Sequence, residues 1–254
     1  MSGPIQSIER AAAVLRLLSG RSRRLGVVEL AGQLGLPKGT VHGILRTLQS
    51  VGFVEQEPES GKYQLGAALL HIGSSYLDAN ELRTRALNWA DSLATQSGES
   101  VRIGTPHEKQ VLIVHHVFRP DDSRQALEVG SLVPAHATAL GKALLAHHRY
   151  LLTELGGNPL PSYTPATITA MDQLERELDE VSARGWASEI GELFPGVASI
   201  AAPIEDRRGV IAGAICVTGP MERLCDGPRP RSELVGYVLE TARTISRELG
   251  AIPW

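Results

Sequence analysis

The segment from Pro37 to Leu48 constrains this chain most. Val41, Ile44, Leu45 and Leu48 recur at i, i+3, i+4 and i+7, the spacing of one buried helical stripe. Lys38, Thr40, His42 and Arg46 fall outside that stripe. A cation, a hydroxyl, an imidazole and a guanidinium on one short face are donors that phosphates and major-groove base edges accept. On this segment alone, an amphipathic helix with a merely solvated face reads equally well.

The flanking residues decide between the two. Val27 to Leu34 sets Val27, Leu30, Ala31 and Leu34 on one face, and Gly35-Leu36-Pro37 then breaks the pattern. Helix, glycine-containing turn and second helix is the order in which the second helix enters the groove. Downstream, two short extended runs flank Pro58-Glu59-Ser60-Gly61 and read as a two-stranded wing, with Lys62 and Tyr63 placed to touch DNA backbone or minor groove. Upstream, Ile5, Ile8, Ala12, Leu15 and Leu18 trace a first helix that closes a three-helix core. Residues 1–65 are therefore expected to form a winged helix-turn-helix domain.

Charge agrees. The first 65 residues carry eight basic side chains, Arg21 and Arg23 among them, against five acidic ones, so a net +3 precedes a remainder of −6 in a chain of net charge −3. Such a head suits local, salt-sensitive DNA affinity. A single domain of this kind buries too little surface for tight specific binding, so a dimer is expected.

At 254 residues, two domains are expected rather than one. No apolar run approaches the ~20 residues of a membrane span, and Glu9 and Arg10 interrupt the N-terminus where a signal peptide would be apolar. Cytoplasmic residence is expected, and two cysteines, Cys216 and Cys225, suit a reducing compartment.

Residues 66–80 read as a linker helix, with Ala67, Leu70 and Leu77 in helical repeat. A second helix is expected from about Glu81 to Thr95, with Leu82, Ala86, Trp89 and Leu93 on one face; it reads as interdomain or dimer-forming, the alternative being that it packs on its own chain. From Glu99 the texture alternates. Strands are expected at Val101–Thr105, Val111–Val117, Ala126–Val129, Ala198–Ile204 and Val210–Thr218, and helices near Ala139–His147, Met171–Ala183 and Ser232–Leu249. Short turns make the first two strands antiparallel, and likewise the last two. The fold class is expected to be α+β, with residues 81–254 forming a second domain of α/β or α+β type.

Catalytic signatures are missing from this second domain: no nucleophile elbow, phosphate loop, dinucleotide fingerprint or zinc-protease helix occurs. The chain is expected not to be an enzyme and to need no cofactor. The pairs His115-His116 and His147-His148 are the densest metal-like signals. Neighbouring histidines on a strand point to opposite faces, so no metal site is expected. Cys216 lies inside an apolar strand and reads as a small buried hydrophobe.

The recognition helix, the wing, the segment Pro134-Ala135-His136-Ala137-Thr138-Ala139-Leu140-Gly141-Lys142-Ala143-Leu144-Leu145 and the segment Gly196-Val197-Ala198-Ser199-Ile200-Ala201-Ala202-Pro203-Ile204 together resemble the IclR family of bacterial transcriptional regulators. The resemblance covers essentially the whole chain. The recognition helix, His116 to Gln125, and Glu222-Arg223-Leu224-Cys225 are similar to the branch of that family that represses glycerol operons in actinomycetes.

The resemblance implies a winged-helix head, a helical linker, a GAF-like effector domain, and homodimers that pair into tetramers. It places DNA contacts at Lys38, Gly39, Thr40, His42, Arg46 and Lys62. An effector cradle is implied at Thr138, Ala139 and Leu140, at Glu189 in the following loop, at Ser199, and at Cys216 and Thr218 on the last strand. Hydroxyls and one acid suit a small polar molecule such as a polyol or hydroxy acid. Glycerol fits that lining somewhat better than glycerol 3-phosphate, because Glu189 opposes a phosphate unless His136, Lys142 or the start of the Ala139 helix compensates. Gly39 and Gly43 each cost a helix about 1 kcal/mol relative to alanine, which suggests close backbone approach by the DNA. The expected function is repression of a glycerol operon through double-stranded operator DNA. A family regulator of another catabolic or developmental pathway answering a small organic acid, or a ligand-independent DNA binder, are the alternatives.

Overall fold

The structure, a computed structural model, describes residues 3–20, 24–121, 123–156 and 159–251. Arg21, Arg23 and Asp122 lie outside the described residues. The chain divides into two compact units, residues 1–79 and 80–254.

The first unit contains α1 (Gln6–Leu18), α2 (Val27–Leu34), α3 (Lys38–Ser50), β1 (Val54–Gln56), β2 (Tyr63–Leu65) and α4 (Ala67–Ala79). Its core is Val14, Leu18, Leu30, Val41, Leu45, Leu48 and Val54, all buried, with Ile44 half-buried beside them. The stripe of α1 differs from expectation. Val14 and Leu18 point inward, whereas Ile5 and Ile8 are each 64% exposed, because their turn precedes the part of α1 that the other helices cover. Between α2 and α3 the chain turns at Gly35, where φ is +63°, a left-handed value that favours glycine.

The wing pairs Val54 with Leu65 and Gln56 with Tyr63. Leu25 adds a one-residue bridge, its N–H donating to Tyr63 O at 3.1 Å and its carbonyl accepting from Tyr63 N at 2.9 Å. Tyr63 is only 3% exposed and belongs to this core, so the expected DNA contact at that residue is corrected. A Cβ at Gly66 would lie 2.2 Å from Gly52 O, and only glycine permits the chain to pass there into α4. That helix buries none of its own side chains, and it leaves Leu70, Ile72 and Tyr76 exposed.

The second unit is built on α5 (Glu81–Ser97), β3 (Ser100–His107), β4 (Gln110–Val117), β5 (Leu132–Pro134), α6 (Ala139–Leu145), α7 (Tyr150–Leu155), α8 (Met171–Arg184), β6 (Ala187–Ile190), β7 (Val197–Glu205), β8 (Ile211–Pro220), α9 (Met221–Leu224), the two-residue pair β9 (Cys225–Asp226) and β10 (Arg229–Pro230), and α10 (Ser232–Glu248). Six strands form one antiparallel sheet in the order β5-β4-β3-β8-β7-β6. The two expected hairpins, β3 with β4 and β7 with β8, are both present.

Alternation along β8 separates two layers. Gly213 meets Leu82 of α5, and α5 also packs on α10, while Ala214 and Cys216 join the cluster formed by α6 and α8. Helix α5 thus packs on its own sheet through Leu82, Ala86, Ala90 and Leu93, as the alternative reading had it, and Trp89 remains 38% exposed. Residues 126–129 form no strand. The strand they were expected to make begins instead at Leu132, and β6 was not foreseen.

Candidate functional site

Two surfaces carry the polar chemistry, one in each unit. On α3, the buried residues Val41, Leu45 and Leu48 turn the opposite side outward. Lys38, His42 and Arg46 follow one another at intervals of four, so they stack along a single exposed strip, with Thr40 half-buried at its edge. Gly39 and Gly43 form a parallel row in which an added Cβ would meet no atom within 4 Å. Neither position has a positive φ. Packing and backbone conformation therefore explain neither glycine. Lys62, on the wing, is half-buried and pairs with Glu29 of α2 at 3.3 Å; Glu29 in turn accepts from Gly26 N at 2.6 Å and caps that helix.

In the second unit the strand register lays polar residues in rows across one face of the sheet. Glu189, Ser199, Thr218 and Ser100 stand opposite one another on β6, β7, β8 and β3. Two residues along the strands, Ala201, Cys216, Arg102 and His116 form the next row on the same face. Above the first row sits α6, capped by Thr138, whose hydroxyl accepts from Gly141 N at 3.2 Å and donates to Pro134 O at 2.7 Å. A Cβ at Gly141 would lie 2.0 Å from Ala135 O, so this helix start is seated directly on the preceding backbone.

Between α6 and the sheet lies a cavity of about 60 Å³. At roughly 10–15 Å³ per water position, it holds four to six heavy atoms. Its lining includes Thr138, Ala139, Leu140, Glu189, Ser199, Cys216 and Thr218, so the seven residues indicated by resemblance converge on one space. Glu189 was expected in a loop, yet it occupies β6, where pairing with Ser199 fixes it. Arg102, Glu128 and Phe194 complete the polar and aromatic lining and were not foreseen. Arginine in the middle of a strand reads as solvent-facing, and only the sheet's covering helix makes it a cavity residue.

The hydrogen bonds give the cavity two chemically different ends. At one, the Ser199 and Thr218 hydroxyls lie 2.6 Å apart, Thr218 also reaches Ala198 O at 3.2 Å, and the Ser199 hydroxyl bonds the Glu189 carboxylate, so Ser199 Oγ keeps lone-pair capacity toward the cavity. Glu189 Oε1 accepts from the backbone N–H groups of Glu192 and Leu193, and burial pushes its carboxyl above the usual range. That end presents acceptors. At the other, Arg102 Nη2 donates to Glu128 Oε1 at 2.7 Å, while the buried Arg102 Nε has no partner among the described residues. That end presents donors. Cys216 is 2% exposed, and burial pushes its thiol up to about 12, so it is no nucleophile.

The other charged and imidazole side chains are committed elsewhere. Lys142, 1% exposed, holds Glu192 at 2.5 Å and Ser188 O at 3.3 Å, and His136 Nε2 lies 2.9 Å from Pro161 O. Neither lines the cavity, so the expected compensation of a phosphate by these two is corrected. His116 Nδ1 accepts from Glu128 N, hence Nε2 carries the proton toward Ser100 Oγ at 2.8 Å, and burial lowers its pKa to about 4. His148 Nε2 lies 2.8 Å from Ile211 O. Arg119 and Arg223, from the two segments singled out downstream in the sequence, converge on Glu99, which is 2% exposed. Among the described residues no group of three or more histidine, cysteine or acidic side chains could hold a metal ion, and no helix is long and apolar enough to cross a membrane.

Comparison with known proteins covers both units. The IclR helix-turn-helix domain matches residues 7–58, and the C-terminal domain of bacterial transcriptional regulator IclR matches residues 74–247. The chain is 55% identical over 251 residues to the glycerol operon regulatory protein of Streptomyces coelicolor, covering 99% of each chain. It is equally similar, 55% identical over 251 residues and 99% of each chain, to that of Streptomyces griseus. Among solved structures, an IclR transcriptional regulator from Alicyclobacillus acidocaldarius superposes with a TM-score of 0.81 at 28% identity, covering 98% of this chain and all of that one.

Proposed function

The chain belongs to the IclR family of bacterial transcriptional regulators, and from that premise we propose that it represses a glycerol operon in the cytoplasm and is released by a small polar metabolite. It is a DNA-binding regulator rather than an enzyme. The observation that carries the proposal is that one chain joins a packed helix with an exposed strip of donors to a separate unit holding a cavity with several polar side chains in its lining.

In this reading α3 enters the major groove of double-stranded operator DNA. Lys38, Thr40, His42 and Arg46 contact phosphates and base edges, and Gly39 and Gly43 allow the DNA backbone to approach closely. Lys62 exchanges Glu29 for a phosphate, a small loss because both side chains of the pair still reach solvent. Two recognition helices are needed for operator affinity, so the working form is a homodimer, extended to a tetramer; the exposed Leu70, Ile72 and Tyr76 of α4 support association. The domains are residues 1–65, a linker at 66–80, and 81–254. Glycerol or glycerol 3-phosphate occupies the cavity bounded by Thr138, Ala139, Leu140, Glu189, Ser199, Cys216 and Thr218, and changes the spacing of the two recognition helices.

Fluorescence anisotropy of the full chain on DNA from its own upstream region, titrated with salt and then with each metabolite, tests this. The expected result is a Kd of about 10 nM or tighter that weakens steeply with salt and on addition of one metabolite. Ligand binding that leaves DNA affinity unchanged would overturn the coupling.

A further inference from the structure

We propose that Arg102 is the specificity-determining residue of the cavity, selecting a short polyol that carries one phosphate or carboxylate, with Glu128 as the internal counterion that this anion displaces. The inference rests on the reading of the cavity as the effector site.

The geometry of the guanidinium points there. Glu128 reaches it through one oxygen on Nη2 only, and the adjacent Nε, buried within the protein, has no partner among the described residues. Nε and Nη2 form one edge of the fork, with parallel N–H bonds that match the two oxygens of a carboxylate or phosphate. A bidentate anion on this edge satisfies both donors, which Glu128 as placed does not. Arg102 is also the one cation among the described residues lining the cavity, since Lys142 is bound to Glu192.

Size and polarity agree. The cavity has room for about as many heavy atoms as glycerol itself. A phosphorylated or oxidised polyol is larger, and moving the Glu128 carboxylate aside provides the added volume at the end where the added charge must sit. At the far end, Ser199 Oγ and Glu189 offer acceptors to the ligand's hydroxyls. One strand row separates the two ends, so a three-carbon chain with hydroxyls at one terminus and an anion at the other spans donors and acceptors in the right order. Glu128 lies on the connection from β4 to β5, so its displacement by ligand frees one tether of that connection.

Isothermal titration calorimetry of the full chain with sn-glycerol 3-phosphate, D-glycerate and glycerol, one at a time, tests the inference. At least one of the two anions is expected to bind about tenfold or more tightly than glycerol. Arg102→Gln is expected to remove that advantage while weakening glycerol far less than the anions, and Arg102→Lys, which keeps the charge but loses the fork, to retain only part of it. Glu128→Gln is expected to tighten the anion, because the competing carboxylate is gone. If Arg102→Gln fails to fold by far-ultraviolet circular dichroism, Glu128→Gln decides: anion affinity that is unchanged or weaker overturns the role of the pair. Glycerol binding as tightly as both anions, or Arg102→Gln weakening all three ligands alike, overturns the inference while leaving the effector reading intact. Failure of all three to bind overturns that reading and the inference together.

Discussion

On α3, Lys38, His42 and Arg46 are held outward over a buried stripe, whereas Arg102, Glu128, Glu189, Ser199 and Thr218 of the cavity each form hydrogen bonds within the chain. Exposed donors keep their hydration until a partner arrives, and changing them alters stability little. Buried or half-buried ones are bonded largely by the fold itself, so stability and recognition share many of the same atoms. The first unit can therefore vary its reading face independently of its core, and the second cannot vary its cavity without repaying desolvation.

The largest expected effect tests the second half of that contrast. Lys142→Met leaves Glu192 buried without its cation and should destabilise the second unit by about 3–5 kcal/mol in chemical denaturation. A loss below 1 kcal/mol would mean that this polar network is as dispensable as a surface pair.

Next comes pH. The pKa of His116 is lowered from 6.5 to about 4 by burial, so its contribution to stability is fully present above pH 6.5 and is lost as pH falls through 4. The shift corresponds to roughly 3 kcal/mol in all. Glu189 and Glu192, pushed up by burial, slope the other way: their contributions are present below 4.5 and fade as pH rises through their folded values. The denaturation free energy of the chain minus that of His116→Gln isolates the histidine. A difference that stays flat between pH 6.5 and 4 would show that His116 is not held neutral. The first unit has no buried histidine among its described residues, and serves as the internal control.

Paired glycine substitutions give the smallest and sharpest comparison. Gly141→Ala drives a methyl against the Ala135 backbone and should cost about 1–3 kcal/mol or more. Gly43→Ala enters open space on α3 and should instead stabilise by about 1 kcal/mol while weakening operator binding. Operator affinity unchanged in Gly43→Ala would mean that the DNA does not approach that row closely.

What the sequence disclosed divides along the same line. Helical period, a turn glycine and the Pro58 to Gly61 turn are local signals, and they located α2, α3 and the wing. Strands β4, β7 and β8 were likewise legible from their apolar runs, and β3 from Val101 and Ile103 alternating with polar residues. Residues 126–129 misled because an apolar pair beside Glu128 resembles strand, although Glu128 N donates to the His116 ring and its carboxylate binds Arg102, with no ladder there. Strand β6 is only four residues long, with no periodicity to reveal it. The cavity residues became visible only through resemblance, since Thr138, Glu189, Ser199 and Thr218 come from α6, β6, β7 and β8 and meet through register. Arg102 and Glu128 carried no sequence signal at all, because their meaning depends on which face of the sheet is roofed.

The sealed thiol in that roofed space has a practical consequence. Cys216, protonated up to a pKa of about 12 and almost wholly enclosed, reacts with an alkylating reagent only during moments when the cavity wall parts. Its labelling rate is then a clock for breathing of the effector unit, slowed by any molecule that fills the space, and needing no knowledge of that molecule's identity.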